Sequence, residues 1–173
     1  LWQRRFRHGS ASADSLPGSP LYTIKRFNEQ ARLLATVNAE ARAGLHSLER
    51  FDSFQKEAEG IRDQLVSLVR GFRNEGKIVT AYGAPAKSGT LLNFCGFTAD
   101  DLKFVTDTTP YKIGRLTPGS HIPVVSPDIL KTDTPDYILL LAWNYRDFIL
   151  EKEKELRARG TKFIIPIPNV EIV

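Results

Sequence analysis

The chain has 173 residues, 42% of them hydrophobic, and a net charge of +4. That length fits one domain of ordinary size with an appended helical segment, and the apolar fraction is enough for a core. The excess charge is confined to residues 1–26, where Arg4, Arg5, Arg7, Lys25 and Arg26 face only Asp14; residues 27–173 are neutral overall, which argues against a nucleic-acid groove on the folded part.

Cys95 is the single cysteine, so an internal disulfide is excluded, and with three scattered histidines it supplies no zinc-ligand spacing. It stands in an apolar helix end with no base near it in sequence, the setting of a packed thiol rather than a nucleophile. No run reaches the ~18 apolar residues of a membrane span. No secretory signal is seen, so the cytoplasm is the expected location. The chain begins with Leu1 and contains no methionine, and is expected to be a piece of a longer product.

Residues 1–26 are rich in Arg, Ser, Ala, Gly and Pro and read as a linker or tail, with at most an edge strand over 21–24. From Phe27 the pattern becomes helical. Phe27, Ala31, Leu34, Val37, Ala41, Leu45 and Leu48 follow the three-and-four spacing of an amphipathic helix, which Gly44 ends or interrupts. Phe51, Phe54, Ala58, Ile61, Leu65, Leu68 and Phe72 repeat it strictly, with Asp52 or Ser53 as the expected N-cap and Gly76 as the stop. Residues 27–76 are thus a helical lead-in. Its stripes suit packing on each other, on the sheet, or on another chain or domain, and the sequence does not choose among these.

After Gly76 strand and helix alternate as a parallel sheet requires. Strands are expected over 78–82, 103–107, 124–125, 137–142 and 162–165, with a further edge over 170–173. Helices are expected over 88–94, from Pro127 behind a Ser126 cap, and over 144–159. The expected fold is a Rossmann-like three-layer α/β domain over 77–173 with a parallel sheet, preceded by a helical hairpin.

Ligands of open parallel sheets bind beyond the carboxyl ends of the strands. At the first end, Gly83, Ala84, Pro85, Ala86, Lys87, Ser88 and Gly89 form a small-residue turn opening a helix, a setting for phosphate on backbone N–H groups. It is not the GxGxxG fingerprint, and Pro85 removes one donor. A tight connection with no ligand is the plain alternative. Lys87 offers a point charge, or only a solvated tip.

Asp107 follows Gly83 by 24 residues, near the ~20-residue offset of a ribose-binding acid. Opening the run Asp-Thr-Thr-Pro, it is equally suited to capping a turn. The long segment 108–123 carries Tyr111, Lys112, Arg115 and His121, cations for phosphate and rings for base or sugar, or else a polar surface loop turning at Pro118 and Gly119. A lone His121 serves proton transfer or structure. Trp143 and Asn144 end another strand, where an aromatic serves as a stacking wall or as core. No nucleophile, base and orienter can be assembled, so these residues read as a binder rather than a catalyst.

The runs AYGAPAKSGTLLNFCG (81–96), FVTDTTPYKIGRLTPGSHIPVVSPD (104–128), PDYILLLAWNYRDFI (135–149) and GTKFIIPIP (160–168) resemble the C-terminal domain of the sugar C-methyltransferases. The resemblance covers about the last hundred residues, and the two preceding helices suit that domain's lead-in. It implies a longer enzyme that methylates a carbon of a nucleotide-linked keto-deoxysugar with S-adenosylmethionine. Such an enzyme has an N-terminal zinc-binding domain and a central domain with the methyl donor and the acid/base residues. This chain would then be a nucleotide-sugar-binding part, inactive alone and holding no cofactor itself. The resemblance places the turn from Gly83 to Lys87, together with Lys112, Gly114, Pro118, Gly119 and His121, on the nucleotide-sugar side of the cleft. Where the family has Gly-Asn-Thr after the lysine, this chain has Ser88, Gly89 and Thr90. The rivals are a domain for NAD or coenzyme A, which calls for a glycine-richer turn, and an interaction module whose helices expose a wide apolar patch.

Overall fold

Five short apolar runs become the parallel core of a six-stranded sheet in a computed structural model that describes residues 20–45 and 47–173. The element order is α1 (Pro20–Arg42), α2 (Leu48–Asn74), β1 (Val79–Tyr82), α3 (Ala86–Phe94), β2 (Val105–Thr106) and β3 (Val124–Val125). A 3-10 helix (Pro127–Lys131), β4 (Tyr137–Leu140) and a second 3-10 turn (Trp143–Tyr145) follow. Then come α4 (Arg146–Lys152), α5 (Lys154–Ala158), β5 (Lys162–Ile165) and β6 (Glu171–Ile172). Sheet order is β3-β2-β1-β4-β5-β6, and only β6 runs antiparallel to its neighbour. This is the mixed α/β, Rossmann-like architecture that the alternation implies.

By its internal contacts the chain divides into a unit closing at Phe54 and a unit of Gln55–Val173. In the second unit the strands alternate sides. Val79, Ala81, Leu139 and Ile164 pack with Leu65 and Val69 of α2 and Leu91 and Leu92 of α3. Tyr82, Ile138, Leu140, Phe163 and Ile165 pack with Leu130, Ile149 and Leu156 on the other face. A period of two thus divides each strand between two helical layers. Arginines fasten α2 to the loop after α3. Arg70 Nε donates to Asp101 Oδ1 at 3.0 Å, and Arg73 Nε to the Asp100 carbonyl at 3.0 Å.

Several expectations are corrected. No edge strand forms over 21–24; the backbone there is already helical, because α1 starts at Pro20. Proline at a first helical position is pre-set for the helix, and nothing in 20–26 breaks it, so continuation overrides the β-branched residues. The tail reading of residues 1–19 lies outside the described residues. The cap of α2 is Ser47, whose Oγ accepts from Arg50 N at 3.2 Å, rather than Asp52 or Ser53. The helix expected over 144–159 is broken at Glu153 (φ −97°, ψ 25°). There Tyr82 Oη donates to Glu153 Oε1 at 2.8 Å and accepts from Lys152 Nζ at 3.0 Å, which holds the bend to the end of β1. Of that segment's apolar residues Ile149 and Leu156 are buried, while Tyr145 and Phe148 are exposed.

Candidate functional site

The sheet order reverses between β1 and β4, the position at which open parallel sheets leave a crevice beyond their strand ends. The turn after β1 starts with Gly83 at φ +84°, where a Cβ would stand 3.0 Å from the Ala142 Cβ after β4. Both the left-handed backbone and the close approach therefore call for glycine. Gly83 N donates to the Thr106 carbonyl at 2.7 Å, closing the turn onto β2.

Asp107, at the end of β2, acts inside this turn. Its Oδ2 accepts from Ala84 N at 2.7 Å and its Oδ1 from Thr109 N at 2.8 Å. Lys112 Nζ donates to the Ala84 carbonyl at 2.8 Å and to Asp107 Oδ2 at 3.3 Å. Burial pushes the carboxyl upward, but the hydrogen bonds from Thr109, Ala84 and Lys112 outweigh it and hold Asp107 below the usual carboxylate range. Both oxygens already have protein donors, so the turn-capping alternative describes how Asp107 is held in this structure.

Helix α3 opens behind Pro85, and no side chain caps it. Ser88 turns inward, its Oγ donating to the Pro85 carbonyl at 2.6 Å. The first-turn amides of Ala86 and Lys87 have no helical acceptors, as at any helix start.

Segment 108–123 is an ordered antiparallel strap rather than a loose loop. Gly114 N donates to the Val124 carbonyl (2.9 Å), Val124 N to the Arg115 carbonyl (2.8 Å), and Thr117 N to the Ile122 carbonyl (2.9 Å). Its tip is anchored by buried Ile122 and by a 2.6 Å contact between the buried hydroxyls of Thr117 and Ser120.

Between this strap and the start of α3 lies a cavity of about 600 Å³. One wall is Ala84, Pro85, Ala86, Ser88 and Gly89; the other carries Tyr111, Lys112 and Arg115. Pro118, which the resemblance places on this side of the cleft, lines it too, and so do Leu116, Thr117 and Val124, which were not expected there. Their sequence signal is the Pro118-Gly119 turn with Leu116 and Ile122 on either side of it. Lys112 and Arg115 are the charged residues of the lining, and no carboxylate lines it. Tyr111 is 71% exposed at the rim.

The remaining expected residues go elsewhere. Lys87 points toward the end of β4, with Nζ 3.8 Å from the centre of the Trp143 ring and a hydrogen bond to Asn144 Oδ1. Desolvation pulls its pKa down. Trp143 and Asn144 line a separate depression of about 450 Å³ with Arg146, Phe148 and Pro168. His121 is exposed, takes φ +53° and donates its backbone N–H to the Thr117 carbonyl at 3.0 Å, outside the lining of either cavity. A third cavity, of about 670 Å³, lies between α2 and β6 and is lined by Glu75 and Glu171 with no cation.

Comparison with known proteins agrees on one family. The C-methyltransferase C-terminal domain family matches residues 18–168. The C-methyltransferase NovU of Streptomyces niveus is 41% identical over 141 residues, which cover 81% of this chain and 34% of that protein. The chain thus matches about a third of the length of that curated relative.

Proposed function

Since the chain belongs to the C-methyltransferase C-terminal domain family, we propose that it is the part of a C-methyltransferase that holds a nucleotide-linked keto-deoxysugar. The observation that carries this reading is the lining of the 600 Å³ cavity. It combines two cations, Lys112 and Arg115, with an open helix start, no carboxylate and the exposed Tyr111 ring. Phosphate oxygens suit the cations and the amides, and a base or sugar ring suits the tyrosine face.

Chain residues divide the work in this reading. Asp107 holds Lys112 and the Ala84 amide in place, while Arg115 is the adaptable cation. S-adenosylmethionine would supply the methyl group. Its sulfonium and amino groups are cationic, and the cavity's own charges are cationic, so the donor does not fit here and no step is routed through it. We assign the methyl donor, the zinc and the acid/base chemistry to other domains of a cytoplasmic full-length enzyme, with this chain inactive alone.

The test is a calorimetric and thermal-shift titration of the purified chain with thymidine diphosphate, a thymidine diphosphosugar, UDP-glucose, NAD and coenzyme A. Thymidine nucleotides should raise the melting temperature, and Arg115→Ala should weaken their binding by about tenfold. Stabilisation by NAD or coenzyme A alone overturns the reading, and so does silence from all five.

A second reading concerns the helices and is compatible with the first. Phe27, Leu34 and Val37 of α1 and Phe51 and Phe54 of α2 are more than half exposed. We propose that these stripes dock against other domains of the same enzyme, since that much apolar surface marks an interaction site.

A further inference from the structure

Asn93 lies on the last turn of α3, outside the cavity lining. Its Nδ2 donates to the Gly89 carbonyl at 2.7 Å and to the Pro118 carbonyl at 3.0 Å. Gly89 belongs to the helical wall of the cavity and Pro118 to the strap wall. One amide therefore joins the two walls. The next residue of the strap, Gly119, has φ +79°, and a Cβ there would come within 2.9 Å of Asn93 Cγ. A left-handed glycine with no side chain is what lets the strap tip approach Asn93 closely.

We propose that Asn93 is a positioning residue for the ligand of this cavity: by clamping the strap to α3 it sets the distance between the wall bearing Lys112 and Arg115 and the start of the helix. The strap is also held near its base by Lys112 and at its tip by buried Ile122 and the Thr117–Ser120 contact. Among the described residues this is the polar side-chain tie between the tip and the helix, and losing one hydrogen bond shifts an equilibrium several-fold. This inference rests on the reading of the cavity as a nucleotide-sugar site.

Asn93→Ala removes the clamp without burdening the helix, because alanine is the better helix former. Gly119→Ala disturbs the same contact from the strap side. Thymidine diphosphate affinity by calorimetry, melting temperature, and hydrogen exchange at His121 and Ile122 are measured for the wild-type chain and both variants. Asn93→Ala should bind about fivefold more weakly and exchange faster at the tip by a similar factor, with its melting temperature essentially unchanged. Gly119→Ala should shift both readouts in the same direction. Faster exchange with unchanged affinity would make the clamp purely structural and overturn the proposal, as would unchanged exchange. If the wild-type chain itself fails to bind, the functional reading falls and takes this inference with it; the wild-type titration alone reveals that case.

Discussion

Gly89 sits in the first half of α3 and faces the cavity, and a Cβ built there meets no atom within 4 Å. Within the fold, glycine is therefore unneeded at this position, and in a helix it is less stable than alanine by roughly 0.5–1 kcal/mol. Gly89→Ala should raise the melting temperature while weakening thymidine diphosphate binding, because the added methyl occupies space the ligand uses. A stabilised variant with unchanged affinity would show that the ligand does not approach this turn. Gly83 behaves oppositely: its positive φ and the nearby Ala142 make it a requirement of the fold. Both glycines are legible in the sequence as parts of the turn, but their roles separate only through what surrounds each. Lys87 shows the same limit. Its place at the helix start was legible, but its side chain turns to Trp143 and Asn144, some 57 residues onward in sequence.

Among the elements, the connection from β2 to β3 decides the site. Parallel neighbours need a crossover, and here a hairpin strap takes the place of a helix. Its base depends on Asp107, whose carboxylate ties Ala84, Thr109 and Lys112 together. Because the folded value of Asp107 lies below the ordinary ~3.9, its contribution to stability is complete above that pH and is lost as the pH falls through the lower folded value. Asp107→Asn should thus destabilise the chain by about 1–3 kcal/mol at neutral pH, and the gap from wild type should close in acid. Urea melts at both pH values check this; a gap independent of pH would mean that the charge of Asp107 is irrelevant to the clasp. The length and polarity of segment 108–123 announced something unusual, yet its pairing was not legible, because the interrupting Lys-Ile-Gly-Arg run hides the alternation. The broken helix after Trp143 has a similar origin. Periodicity supports one helix, and the contacts of Lys152 and Glu153 with Tyr82 bend it.

At the scale of the whole molecule, the buried strands and α2, α3, α4 and α5 build two apolar layers around one sheet. Cys95 belongs to one of them. It is 5% exposed, and burial pushes its thiol up to about 11. As the single cysteine it should report opening of that core: labelling by a disulfide reagent at pH 8 should be slow and should accelerate with denaturant in step with unfolding. Labelling of the native chain at the rate of a free thiol would contradict the packing described. The sequence by itself determined the alternation of strand and helix, the places where α1 and α2 stop, and the small-residue turn after β1, because these follow from local propensity and from periods of two and 3.6 residues. The tertiary structure alone decided which of the expected residues share a cavity. It brought Lys112 and Arg115 to the turn, sent Lys87, Trp143 and Asn144 to a different depression, left His121 outside both, and joined Asn93 to Pro118 across 25 residues. Strand order and the path of the strap set those distances, and neither leaves a periodic trace in the chain.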